Sequence, residues 1–285
     1  MPSTSRRELL LGAATAASML QSSAVAQTAG TQRIVRFRRG SAEPSYGLHF
    51  GDSIQPVRGG LFDGLKPTGS KVKLADVRLL CPCAPPKVLA VGLNYKSHVG
   101  TRTPPSAPEL FYKPITCLND PGGEIRIPPD SKNTHYEGEL VIVIGKTVRQ
   151  ATPQQAREAI FGVTCGNDVS ERDWQNGAQK DLQWWRAKGA DTFGPAGPAI
   201  VRGLDYGNLL LQTRLNGQVV QQQNTSDLLF DCNAIVVYAS RYVTLTPGDI
   251  IYTGTPGSTK PMKNGDTVEV EIQGIGTLTN KVVQG

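Results

Sequence analysis

Two glutamates stand two residues apart in "THYEGELVIVIG", the stretch from Thr134 to Gly145. Glu137 and Glu139 open a segment whose later half, Leu140 to Ile144, is apolar at every position. In a strand, residues two apart point to the same side, so a buried-looking strand begins with two carboxylates on one face. Their side chains are expected roughly 6–7 Å apart. At an effective dielectric of about 20, two negative charges at that separation repel by about 2–3 kcal/mol, before any loss of hydration. Basic partners, a carboxyl kept protonated, open solvent or a divalent cation would each offset that cost, and the pair alone does not choose among them. A cation asks for a third oxygen ligand. Asp168, at the end of "GVTCGND", is the candidate, on a strand that can lie beside the glutamates. Three carboxylates plus water suit a hard ion: Mg2+ first, with Mn2+ or Ca2+ as alternatives. A lone aspartate in a turn is more often a cap; it gains meaning only with the pair.

The elements that must hold these residues read as short strands with few helices. Aliphatic runs and frequent Gly and Pro (31 and 20 of 285 residues) point to a β-rich globular protein. "RIVRFRR", "SYGLHFGDSIQPV" and "VKLADVRLL" are strands broken by Gly, Asp and Pro, giving a small β-rich N-terminal domain over residues 31–82. "CPCAPPK" is a Pro-rich joint. A larger domain over 87–283 starts with the buried strand "KVLAVGLNY", then the polar, Pro-rich loop or lid "KSHVGTRTPPSAPE", then the short strand "LFYKP". "TPQQAREAIFG" predicts a capped helix with Ala156, Ile160 and Phe161 at helical spacing. "VTCGNDVSERDWQ" reads as strand, turn and helix start. "LLLQTRLNGQVVQQQ" is a hairpin turning at Asn216–Gly217. "LLFDCNAIVVYASRYV" is an amphipathic helix, "LTPGDIIYTGTPG" a buried strand ending in a Gly-Thr-Pro loop, and "GDTVEVEIQGIGTLTNKVV" a closing hairpin.

Residues 1–26 are a different kind of text. Arg6–Arg7 precede an apolar run from Leu9 to about Leu20, and "AVA" at Ala24–Ala26 supplies small residues for cleavage before Gln27. This is the layout of an export signal of the twin-arginine type, and it predicts a periplasmic protein that folds, and takes up its metal, before crossing. No run of 18 or more apolar residues is present, so no membrane-spanning helix is expected. The net charge is +6. Its Lys and Arg are scattered, and "RFRR" at Arg36–Arg39 is a solvated strand edge, not a nucleic-acid surface. The five cysteines follow neither disulfide-framework nor zinc spacing, and read as small buried residues.

Seven blocks then occur in order: "VGLNYKSH", "LFYKP", "HYEGELVIVIG", "GNDVSERDWQ", "AKGADTFGPAGP", "LNGQVVQ…NTSDLLF" and "LTPGDIIYTGTPG". Over about Lys87 to Val283 the chain resembles the fumarylacetoacetate hydrolase family, and residues 31–82 resemble the small N-terminal domain of some bacterial members. The resemblance implies an α+β, mainly β fold, a mixed β-roll or β-sandwich catalytic domain, usually in a homodimer. It places metal ligands on Glu137, Glu139 and Asp168. Substrates of such proteins are small oxo acids with a 1,3-dicarbonyl or enol arrangement. The metal acts as a Lewis acid on the keto oxygen. His98, in an Asn-Tyr-x-x-His segment, takes the role of general acid or base. Lys113 and Lys188 match positions that hold negative charge, with Lys188 in a catalytic role. Gln175 and the Thr253, Gly254 and Thr255 run match substrate contacts. His135 is either a neighbour of the site or local packing, and His49 a residue of the small domain.

The chain departs from that pattern at one place. Many relatives carry Glu three residues after the histidine of the lid, where this chain has Thr101. Threonine cannot accept a proton as a carboxylate does, which weakens water activation. Three readings follow. The first is a metal-dependent hydrolase that cleaves a carbon–carbon bond in an acylpyruvate-like or diketo acid. The second is a decarboxylase or isomerase using the same site, which the missing glutamate favours. The third is a non-catalytic binder of metal or oxo acids, against which the intact set of Glu137, Glu139, Asp168, Lys113, Lys188 and His98 argues.

Overall fold

The computed structural model describes residues 30–285, so the expected export signal over residues 1–26 lies outside the described residues. Most of the strands belong to two sheets. The larger runs, edge to edge, through Lys66–Pro67, Ser53–Arg58, Ser45–Phe50, Gln32–Arg38, Gly194–Arg202, Ile160–Asn167, Gly138–Ile144, Ile250–Tyr252, Val88–Gly92 and Glu109–Lys113. The smaller runs through Glu124–Ile127, Gly276–Gln284, Thr267–Ile272, Leu210–Leu215 and Gln218–Asn224. The fold is mainly β, as its strand-like text predicts.

Strand Gly138–Ile144 sits inside the larger sheet and is buried along its whole length. Leu140, Ile142 and Ile144 pack with Leu211, Val270 and Ile272 of the smaller sheet and with Ile235 and Val236 of helix Cys232–Tyr242. Val141 and Val143 face the other way, onto Ile34, Val88, Ile200 and Ile250. A strand covered on both faces needs an unbroken apolar run instead of alternation, which explains "LVIVI".

The small N-terminal region does not stand apart from this sheet. Its first strand pairs antiparallel with Gly194–Arg202, in the register Gln32↔Arg202, Arg33↔Val201 and Ile34↔Ile200. The Arg33 guanidinium also donates to the carbonyls of Gly274 (2.9 Å) and Ile275, tying that strand to the smaller sheet.

Two elements differ from expectation. The helix after Thr152 carries a full capping box, with Thr152 and Gln155 bonding reciprocally, but it ends at Ala159. Ile160 and Phe161 belong to strand Ile160–Asn167, because pairing with Gly138–Ile144 outweighs the local helical spacing. "THYEGELVIVI" is also not one strand. Thr134–His135 pairs with Ser170–Glu171, Gly138–Ile144 pairs with Ile160–Asn167, and Tyr136–Glu137 lies between. The hairpin at Asn216–Gly217 is as predicted, with positive φ of 52° and 78° matching a two-residue turn.

Candidate active site

The break before Gly138 shapes the acidic cluster. The Asn167 side chain accepts the Glu137 N–H at 2.8 Å, and the Asp168 N–H donates to the Glu137 carbonyl at 2.9 Å. Glu137 and Asp168 are thereby locked across the ends of two neighbouring strands, while Glu139 stays inside its strand opposite Gly166. Carboxylate oxygens of Glu137, Glu139 and Asp168 lie within 4.8 Å of one another, and all three residues are buried. The solvent option for offsetting their repulsion is therefore removed.

Cationic side chains supply part of the compensation. Lys188, at the end of the short helix Trp185–Gly189, donates to both Glu137 Oε2 and Asp168 Oδ2 at 2.6 Å. Lys113, ending strand Glu109–Lys113, donates to Asp168 Oδ1 at 2.6 Å and to the carbonyls of Lys188 and Phe193. Arg172 pairs with Glu137 Oε1. Burial pushes the Glu137 carboxyl up, but Arg172 and Lys188 more than offset it and hold the group well below its ordinary value. For Lys188, burial favours the neutral amine, yet Asp168 and Glu137 keep it charged and raise its pKa.

Glu139 is the unbalanced member. Among the described residues it joins no ion pair; its Oε2 accepts the Gly254 N–H at 2.7 Å. Burial, then Asp168, then Glu137, push its carboxyl well above the ordinary range. A buried carboxylate beside two others, with converging oxygens and no cation of its own, is the donor set of a hard divalent ion. Glu137, Glu139 and Asp168 are the residues that could hold it.

The Thr253–Pro256 loop closes over this strand. The Thr253 N–H and hydroxyl both donate to the Leu140 carbonyl, at 3.0 and 2.8 Å. The Thr255 hydroxyl donates to the Gly138 carbonyl at 3.0 Å. Gly254 adopts φ +104°, and a Cβ there would lie 2.8 Å from the Asn94 Cβ, so only glycine brings this N–H onto Glu139 without strain. The loop expected to contact substrate thus spends much of its hydrogen bonding on the acidic strand.

His98 lies on the short helix Lys96–Val99. Its Nδ1 faces the Gly257 carbonyl at 2.5 Å. A carbonyl only accepts, so Nδ1 carries the proton and Nε2 is left as an acceptor. Burial lowers the pKa of this imidazole, partly countered by Glu137 and the Gly257 carbonyl. No carboxylate forms an ion pair with His98 among the described residues; Thr101 and Glu109 are both exposed. His135 has both ring nitrogens committed, to Thr259 Oγ1 at 2.9 Å and Asn133 Oδ1 at 2.7 Å, which makes it part of a packed polar net. His49 bonds the Gly51 carbonyl in the N-terminal region, remote in sequence and in sheet position.

Arg172 is the site residue that sequence reasoning passed over. Glu171 caps its helix, accepting from the N–H groups of Trp174 and Asn133. Arg172 then reaches Glu137, Thr259 (2.8 Å) and Gln175 Oε1 (2.6 Å). Gln175 is therefore set against Arg172, with its side chain oriented by the guanidinium. The signal was available: residues three apart on a helix share a face, and this helix begins four residues after Asp168. Trp184 packs edge-on against Phe111 at 5.4 Å, and Lys188 Nζ lies 5.3 Å from the Phe111 ring, which puts an aromatic wall beside the cluster. All five cysteines are free and buried.

Comparison with known proteins agrees with this picture. The family model described as "Fumarylacetoacetate (FAA) hydrolase C-terminal" matches residues 87–283, and "Rv2993c-like, N-terminal" matches 32–82. The chain is 48% identical over 222 residues to protein Rv2993c of Mycobacterium tuberculosis, covering 76% of this chain and 83% of that protein. It is 39% identical over 222 residues to the mitochondrial oxaloacetate tautomerase FAHD2A of Bos taurus, covering 73% and 70%. A crystal structure named as 5-carboxymethyl-2-hydroxymuconate delta-isomerase from Mycobacterium smegmatis superimposes with TM-score 0.82 at 44% identity, covering 89% and 100%. The maleylpyruvate hydrolase of Sphingobium sp. SYK-6, in complex with manganese(II) and pyruvate, superimposes with TM-score 0.72 at 29% identity, covering 89% and 99%. With a buried three-carboxylate cluster on this sheet and a family match over residues 87–283, the chain belongs to the fumarylacetoacetate hydrolase family.

Proposed function

We propose that the protein is a divalent-metal-dependent tautomerase or isomerase of a small dicarboxylic 2-oxo acid. The observation that carries this reading is His98, which among the described residues forms no ion pair with a carboxylate and stands as a neutral base beside the three-carboxylate cluster. Moving a proton between carbon and oxygen needs one such group. Activating water is helped by a paired carboxylate, and position 101 supplies only an exposed threonine. Relatives named as a tautomerase and an isomerase, at 39% and 44% identity, support the same choice.

A divalent ion bound by Glu137, Glu139 and Asp168, Mg2+ or Mn2+, supplies Lewis acidity to a keto oxygen. The chain's own residues do the rest. Nε2 of His98 takes a proton from the carbon next to the ketone, whose C–H electrons form the enol double bond, and delivers that proton to the former keto oxygen; the reverse transfer regenerates the ketone. The Gly257 carbonyl holds the ring in the tautomer that allows this. Lys113, Lys188 and Arg172 equal the three carboxylates in number, although their ion pairs go to Glu137 and Asp168. A divalent ion then leaves two positive charges to spare, which the two carboxylates of a dicarboxylic oxo acid neutralise. That balance also favours dianions over monoanions on encounter.

Carbon–carbon bond hydrolysis is the second reading, favoured by the likeness to maleylpyruvate hydrolase. The experiment is NMR of oxaloacetate and of acylpyruvates in deuterated buffer, with Mg2+ or with chelator. Metal-dependent exchange of the C3 hydrogens without cleavage supports the proposal. Two acids as products would transfer it to the hydrolase reading, and carbon dioxide to a decarboxylase. The proposal includes a homodimer, for which Glu109–Lys113, the edge strand of the larger sheet among the described residues, with Tyr112 and nearby Ile115 exposed, is a suitable surface. It also includes export directed by residues 1–26.

A further inference from the structure

Strand Gln218–Asn224 carries three glutamines in a row, and only the first is buried: Gln221 is 4% exposed. A buried amide left unbonded costs about 1–3 kcal/mol, so its partners are informative. Oε1 accepts the Gly138 N–H at 3.1 Å. Nε2 donates to the Thr255 hydroxyl at 2.9 Å and to the Pro256 carbonyl at 2.6 Å. The Thr255 hydroxyl donates in turn to the Gly138 carbonyl at 3.0 Å. One side chain of the smaller sheet thus closes a ring of bonds through the Thr253–Pro256 loop to both sides of Gly138, the residue between Glu137 and Glu139.

The backbone around this ring is arranged for it. The ladder between Leu210–Leu215 and Gln218–Asn224 shifts register between Thr213 and Arg214, opposite Val219 to Gln221, an irregularity that re-aims a side chain. A Cβ at Gly138 would lie 2.0 Å from Thr213 Oγ1, so glycine is what lets the smaller sheet approach closely enough for Gln221 to reach.

We infer that Gln221 is a positioning residue, an inference that rests on the metal-dependent reading above. It sets the spacing of the Glu137 and Glu139 carboxylates and keeps the Gly254 N–H on Glu139, touching neither ion nor substrate. The loop has independent bonds to Leu140, so losing Gln221 loosens the ligand geometry before it unfolds the sheet. Outer partners of metal ligands typically change affinity or activity by about 10–100-fold when removed.

The test compares full-length wild type, Gln221→Met and Thr213→Val. Mn2+ affinity is measured by electron paramagnetic resonance, kcat and KM on oxaloacetate, and Tm without metal. Gln221→Met is expected to weaken Mn2+ binding by about 10–100-fold and to lower kcat more than it raises KM. Thr213→Val, which removes a buried hydroxyl that has no partner among the described residues, is expected to match wild type. Unchanged Mn2+ affinity in Gln221→Met, whatever its Tm, overturns the inference. If that variant does not fold, Thr255→Val cuts the same ring at equal volume, and unchanged Mn2+ affinity there overturns it equally. Absence of Mn2+ binding by wild type would sink the metal-dependent reading itself, a distinct result.

Discussion

At the residue scale, the cluster divides labour by charge. Glu137 and Asp168 already hold lysine or arginine partners, while Glu139 forms no ion pair among the described residues. Glu139→Gln is therefore expected to stabilise the metal-free protein, since it removes the carboxylate that burial and its neighbours disfavour. It should also weaken Mn2+ binding at least as much as Glu137→Gln does; paired melting and titration curves check both halves. His98→Gln is expected to keep the metal and lower turnover by about 10²–10⁴-fold, the usual contribution of a general base. The sign of the pH dependence follows from burial of this ring. Its pKa is lowered, so the working neutral form persists below the ordinary histidine range. Turnover should stay level through that range and fall only at more acid pH, as Nε2 protonates. A pH–rate profile whose acid limb sits above the ordinary histidine value would assign the base elsewhere.

At the scale of elements, the site is made where strands end. The turn at Gly254 brings one N–H onto Glu139, and Asn94 braces it by donating to the Thr253 and Phe230 carbonyls at 2.8 and 3.0 Å. Gly254→Ala forces a side chain into a positive-φ position and against Asn94. It is expected to cost about 1–3 kcal/mol, visible as a lower Tm, together with weaker Mn2+ binding. Much of this level was legible in the sequence. The buried strand, the capped helix, the Asn-Gly hairpin and the acidic trio announce themselves through composition and spacing. What escaped has physical reasons. The break at Tyr136–Glu137 depends on the Asn167 side chain, which is 30 residues away in sequence. Helix Pro153–Ala159 loses Ile160 and Phe161 to a sheet that local periodicity cannot see. Gln221 looks like Gln222 and Gln223, neither of which is buried, until the smaller sheet is folded against Gly138. Arg172 was within reach from its spacing to Gln175.

At the scale of the whole molecule, the first strand of the N-terminal region and the Gly194–Arg202 strand form one ladder, which continues through Ile160–Asn167 to the acidic strand. Disturbing the N-terminal strand should therefore be felt in the catalytic sheet. Charge balance is the other global property. Dicarboxylic oxo acids are expected to show lower KM than monocarboxylic ones of similar size, with the advantage shrinking as salt screens it. Binding of the ion should raise Tm, because a ligand held only by the folded state stabilises by about 2.7 kcal/mol at a hundredfold excess over Kd.

The central claim is tested most directly by the keto–enol exchange of oxaloacetate catalysed by chelator-treated protein, before and after Mg2+ is restored, in wild type and Glu137→Gln. The account predicts negligible exchange above background without the ion, recovery in wild type on its return, and no recovery in Glu137→Gln. Full exchange by chelator-treated wild type, or by Glu137→Gln, would contradict it.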